Sequence, residues 1–140
     1  MAPAYLGPYQ IATYLLLIFC TGHTLGGLFF APSKGPAADA VLASMKSVHF
    51  RFNGADCTFY GFHLGFGLLT SVFLLLSAAL TWHLGRFPRG NAALRPVAWA
   101  LFVAFVPTTL LGWWYFFAGP ALLSLLVASL LGWECLTTYA

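Results

Sequence analysis

Charge is what this sequence has least of. Six Lys or Arg and three Asp or Glu are all it carries in 140 residues, 6% of the chain, where an ordinary soluble domain carries about 25%. A chain so short of ions cannot cover a water-facing surface, and 61% of its residues are hydrophobic. Nucleic acid is excluded as a partner, because a net charge of +3 with no dense basic face offers nothing to a phosphate backbone. Cysteine is scarce as well. Cys20, Cys57 and Cys135 have no CxxC or paired spacing, so neither a disulfide framework nor thiol redox chemistry is indicated. Such thiols act as small apolar residues.

What remains is long apolar runs. Lys34, Asp39, Lys46, Arg51 and Asp56 occupy one interval, Arg86, Arg89 and Arg95 a second, and Glu134 stands alone. About 20 apolar residues cross a hydrocarbon core of about 30 Å. Four stretches qualify: 9–30, 58–84, 97–118 and 121–139, the last two separated by the Gly119-Pro120 breaker. The expected fold is all-α: an integral membrane four-helix transmembrane bundle, a single domain over residues 1–140, with an interfacial loop between spans 1 and 2. The first stretch has neither the basic n-region nor the cleavage pattern of a signal peptide, and is expected to be retained. Three arginines without an acid in the short second connection favour a cytoplasmic position for it and for both termini.

The first connection carries structure of its own. Ala38, Val41, Leu42, Met45, Val48 and Phe50 recur on a partly amphipathic pattern suited to a membrane interface. Asn53-Gly54 reads as a turn, and Asp56 is placed to cap the second span.

A short near-repeat supplies the candidate site. Gly22-His23-Thr24-Leu25-Gly26 in the first span resembles Gly61-Phe62-His63-Leu64-Gly65 in the second, each a small-xxx-small pattern that lets helices approach. With the two span ends level, His23 lies about 10 Å and His63 about 8 Å below the shared face. Ionisable groups inside a bilayer usually face a bundle interior and mark function, although a histidine can also simply hydrogen-bond a neighbouring helix. Beneath a loop carrying His49, Arg51, Asn53 and Asp56, the matched pair points to a shared site. Tyr60, Trp114 and Tyr115 either line its apolar wall or belong to the aromatic belt at the interface. Pro107 is expected to kink the third span, with Thr108 and Thr109 satisfying freed backbone groups. Glu134 is expected to pair with the arginine loop.

The stretch Met45-Lys46-Ser47-Val48-His49-Phe50-Arg51-Phe52-Asn53-Gly54, with Gly22-His23-Thr24 before it and Phe59-Tyr60-Gly61-Phe62-His63-Leu64-Gly65-Phe66-Gly67 after it, resembles a family of small, uncharacterised bacterial four-helix membrane proteins. The likeness covers nearly the whole chain in layout, and a weaker one links it to four-span proteins of the DoxX-like kind. It implies the four-helix fold and a bacterial inner membrane, and brings no substrate with it.

Three functions compete on the residues. One is an enzyme without a cofactor, acting on a small lipophilic substrate by acid–base chemistry of the isomerase, cyclase or hydratase kind. His23 and His63 would exchange protons, His49 and Asp56 would relay or orient, and Arg51 and Asn53 would hold a polar group against Tyr60, Trp114 and Tyr115. The second is a pigment- or electron-carrying protein with His23 and His63 as axial ligands of haem b. The third is an accessory subunit of a larger membrane complex, or a homo-oligomer, whose glycine faces pack on partner helices. The lipid bilayer is a partner in all three, and a non-haem metal has no ligand spacing to support it.

Overall fold

In the computed structural model, residues 6–139 are described. The chain is all-α apart from one two-stranded ribbon. In order it forms α1 (Pro8–Thr21), which continues as a π-helical segment (Gly22–Phe29), then α2 (Pro36–Ser47), β1 (His49–Phe52), β2 (Ala55–Thr58), α3 (Phe59–Leu84), a 3₁₀ turn (Ala92–Leu94), α4 (Arg95–Tyr115) and α5 (Ala118–Thr138). Four stretches are long and apolar enough to cross a membrane: Pro8–Phe29, Phe59–Leu84, Ala92–Tyr115 and Ala118–Thr138. The protein is a multi-pass membrane protein.

The chain divides into two compact units. Residues up to Cys20 together with those from Leu74 onward make the first, and Thr21–Phe73 make the second.

The first unit is a bundle of four helical segments. Ala12, Leu16 and Phe19 of α1, Leu74, Ala78, Thr81 and Leu84 of α3, Leu101 and Phe105 of α4, and Val127 and Leu131 of α5 form its core. Their spacing of three or four residues is the helical stripe that buries one face. The opposite faces present Ile18, Leu76 and Val103 outward, a surface fit for lipid and not for water. Small residues set the closest approaches. A Cβ on Gly112 would stand 3.2 Å from the Ala121 Cα, and one on Gly132 would stand 2.8 Å from the Phe102 ring. Packing of α4 on α5 is the most extensive helix contact. Buried hydroxyls are threaded through this core. Thr13 Oγ1 and Thr81 Oγ1 lie 2.9 Å apart, and Ser124 donates to the Pro120 carbonyl one turn back.

Two local expectations change. The break between spans 3 and 4 falls at Phe116-Phe117, and Gly119-Pro120 sits inside the first turn of α5, where a missing N–H has no helical partner to lose. Pro107 does lie within α4. Thr108 and Thr109 donate to the carbonyls of Ala104 and Phe105, each four residues back, so neither reaches the Val103 carbonyl that the proline ring leaves unpaired.

The second unit holds the connection between spans 1 and 2. Asn53 and Gly54 take φ of 49° and 86°, both central positions of the two-residue turn that matches strand twist. They join β1 to β2 in antiparallel register, His49 opposite Thr58 and Arg51 opposite Asp56. The helical pattern expected to reach Phe50 therefore ends at Ser47. Capping of α3 also differs from expectation. Thr58 Oγ1 accepts from the Gly61 N–H at 3.0 Å, the N-cap bond, while Asp56 belongs to β2 and bonds elsewhere.

Candidate functional site

The histidines come first. His23 is the second residue of the π segment, a rare helical form often met at functional positions, and the segment's wider winding is marked by the Phe30 N–H reaching the Leu25 carbonyl five residues back. The Nε2 of His23 lies 3.0 Å from the Gly67 carbonyl of α3. A carbonyl only accepts, so this nitrogen carries the proton and Nδ1 keeps the lone pair in the neutral ring. Beside it Thr24 Oγ1 and Ser71 Oγ are 2.7 Å apart. Leu28 fills the groove over Gly67, its Cδ2 lying 2.5 Å from where a Cβ would sit.

These contacts fix a register. Thr24 faces Ser71 and Leu28 faces Gly67, so the end of the π segment at Phe29 comes level with about Phe66, roughly 10 Å beyond the start of α3 at 1.5 Å per residue. The assumption of level span ends fails here. His23 stands level with about Val72, and His63 is about 13 Å nearer the connection. α3 is 26 residues long, about 39 Å against a core of about 30 Å, so its first turns have length to spare at the headgroups. Along the paired helices His23 and His63 are therefore not level with one another.

The loop residues separate into small groups. His49 Nδ1 and Asp56 Oδ2 pair at 2.8 Å across the ribbon, both exposed, as diagonal neighbours on one face. His63 is exposed, its ring 6.3 Å from that of Tyr60. Lys46 Nζ stands 4.7 Å over the Tyr60 ring. Arg51 and Asn53 are exposed. Trp114 and Tyr115 belong to the other unit and are among its most exposed side chains. Among the described residues, no group of three His, Cys, Asp or Glu is placed to hold a metal ion.

A better-formed site lies in the first unit. Glu134 of α5 is 2% exposed, although carboxylates are almost never fully buried unless paired. Its Oε1 accepts from Arg89 at 3.0 Å and its Oε2 from Thr138 Oγ1 at 3.1 Å. The expected pairing with the arginine loop is present. Arg89 keeps 70% of its side chain exposed, so the pair spans the boundary between bundle and solvent. Around it opens a cavity of about 410 Å³, within the range of small-molecule sites. Leu6, Pro8, Leu84 and Phe87 give it apolar walls, and Tyr9, Gln10, Arg89 and Glu134 give it polar ones. Gln10 donates to the Gly85 carbonyl at 2.7 Å, which ties the start of α1 to the end of α3 at the rim. The Tyr9 hydroxyl is buried there beside Tyr139, as buried phenols usually lie near a polar partner. Sequence reasoning saw Glu134 as an ion pair and missed the pocket. The available signal was a lone acid in a span.

No family model, curated protein or solved structure matches the chain.

Proposed function

We propose that this protein is a membrane-embedded enzyme that moves a proton on a small lipophilic substrate with a polar end, with Glu134, not the histidines, as the proton-carrying group. One observation carries the reading: a carboxylate 2% exposed opens onto a cavity of about 410 Å³ at the end of an apolar bundle. Ionisable groups in such places are functional candidates by default, and an acid beside apolar walls and a fixed cation suits acid–base chemistry. Glu134 takes a proton from one atom of the substrate and returns it to another, so no co-reactant is consumed. Arg89 at the rim holds a negative or carbonyl end, and the buried Tyr9 hydroxyl supplies a further hydrogen bond. The substrate's apolar part lies against Leu84 and Phe87. The setting we propose is a bacterial inner membrane, with the Arg86–Arg95 connection and both termini cytoplasmic.

The test is the small-molecule content of protein purified gently from its own membrane, compared between wild type, Glu134→Gln and Pro88→Trp, the last placing bulk at the exposed rim. The reading expects a lipophilic species enriched on the wild type, absent from Pro88→Trp and accumulated unreacted on Glu134→Gln. Identical extracts from all three would sink it.

A second reading, an accessory subunit or homo-oligomer, has its own support. Cβ atoms at Gly22, Gly26 and Gly65 would meet nothing within 4 Å, so the glycines of the near-repeat do not pack on each other and leave close-approach surfaces open. Cross-linking in native membranes, read for a repeated partner at these positions, tests it.

A further inference from the structure

Charge around the Glu134 pocket limits what can enter it. The first unit holds three arginines, Arg86, Arg89 and Arg95, and one acidic side chain, Glu134. Arg86 stands over the Trp82 ring at 5.9 Å, while the cavity itself is lined by one cation, Arg89, and one acid, Glu134. The site is therefore neutral in itself, and the connection at its rim is positive, a field that draws anions to the mouth.

Arg89 is placed to hold a second oxyanion. Its guanidinium carries five N–H donors in a planar fork, its side chain is 70% exposed, and Glu134 Oε1 engages it through Nη2 at 3.0 Å. Glu134 has the opposite setting, 2% exposed and with Oε2 taken by Thr138 Oγ1 at 3.1 Å. A carboxylate that reaches Arg89 with its apolar part along Leu84 and Phe87 puts two carboxylates around one cation. Two such groups sharing one site do not both stay ionised, and the one that gives up its charge is the more deeply buried, because burial penalises charge. No second cation offsets this. The titratable neighbours of Glu134 are Tyr9 of α1, Cys135 of α5 and Tyr139 beyond it; α3 brings Leu84 to the wall, and α4 lines none of the cavity. The Thr138 hydroxyl that donates to Oε2 can turn and accept from the protonated carboxyl.

On the footing of the proton-carrying Glu134 proposed above, we infer that the substrate is an amphiphilic monocarboxylate whose carboxylate is held by Arg89, and that its binding loads Glu134 with one proton from solvent. In a cyclic exchange either half can come first. A proton already on Glu134 sets donation to the bound anion first and recovery from another of its atoms second, and no co-reactant is consumed.

The experiment uses radiolabelled octanoate and its neutral counterpart octanamide, dialysed to equilibrium against the full chain in detergent micelles. Pro88→Trp measures uptake by the micelle alone, and a pH-indicator dye in weakly buffered solution counts protons. Wild type is expected to prefer octanoate, to take up about one proton for each octanoate bound, and to lose about tenfold in octanoate affinity from about pH 7 to about pH 8. Glu134→Gln keeps an acceptor for Arg89 and binds octanoate with no proton uptake and no pH dependence over that interval. Arg89→Gln loses the preference for octanoate. Helix content by circular dichroism checks each variant; should Arg89→Gln fail to fold, the Glu134→Gln comparison decides alone. Octanoate bound by the wild type without proton uptake overturns the inference, as does a pH dependence kept in Glu134→Gln, which would mean that octanoic acid enters uncharged. Octanamide bound in place of octanoate overturns it and leaves the proton-carrying pocket standing, whereas neither probe bound beyond the Pro88→Trp level overturns both.

Discussion

Removing the Arg89 guanidinium isolates the energetics of the Glu134 site. Breaking a fully buried ion pair from one side costs about 3–5 kcal/mol, because the other charge is stranded, whereas an exposed pair is worth about 0–1 kcal/mol. This pair is mixed: Glu134 keeps 2% of its side chain exposed and Arg89 keeps 70%. Solvent screening on the arginine side brings the expected cost of Arg89→Ala to about 1–2 kcal/mol, with Thr138 left as the carboxylate's remaining donor. Glu134→Gln behaves differently. The amide oxygen can still accept from Arg89, the amide nitrogen can donate to the Thr138 hydroxyl, and no stranded charge is created, so the expected cost stays below about 0.5 kcal/mol. In the Glu134→Gln background, Arg89→Ala then adds almost nothing. The assay is a double-mutant cycle of unfolding in detergent micelles, followed by tryptophan fluorescence, with an expected coupling of about 1 kcal/mol. Additive effects, or a Glu134→Gln that costs more than Arg89→Ala, would refute the claim that Arg89 compensates a buried charge.

Other substitutions read other parts of the account. Gly67→Ala drives a methyl into Leu28, 2.5 Å away, and should cost about 1–3 kcal/mol, while Gly65→Ala, with nothing within 4 Å, should be neutral or stabilising by up to about 1 kcal/mol; equal effects in thermal unfolding would contradict the register drawn for these helices. His23→Ala removes one donor from the Gly67 carbonyl, which keeps the Ser71 hydroxyl at 3.3 Å, and should lose about 1 kcal/mol, whereas His63→Ala should change stability by less than about 0.5 kcal/mol, so matched losses would restore the shared histidine site. Gly54→Ala forces an L-residue to a φ of 86° and should cost about 1–2 kcal/mol, seen as faster amide exchange confined to the ribbon. Exchange unchanged from wild type would count against the two-residue turn.

The spans were legible because charge is so sparse that each ion marks a boundary. The Asn53-Gly54 turn was legible because few residue pairs accept two successive positive φ values. The pairing of Glu134 with the arginine loop followed from the cost of leaving a lone acid unpaired. What escaped was relative placement. Helical rise gives depth only when span ends are level, and nothing in the residues announced that α3 runs about two turns past the π segment. Leu28 seated on Gly67 sets that offset, and a leucine facing a glycine has no sequence signature. The glycines of the near-repeat misled for the same reason: small-xxx-small permits close approach without naming the partner helix. The pocket needed three segments to converge, since Tyr9 and Gln10, Arg89, and Glu134 lie far apart in the chain.

The most direct measurement is labelling with a hydrophobic carbodiimide, which adds to a carboxylic acid reached through an apolar environment and is located by peptide mass. With only three acids in the chain, the background is small. A Glu134 that takes up the proton and opens onto the pocket should carry the adduct, and Pro88→Trp should suppress it; a chain that stays unlabelled at Glu134, or labels equally in Pro88→Trp, would contradict a proton-carrying carboxylate in an accessible site.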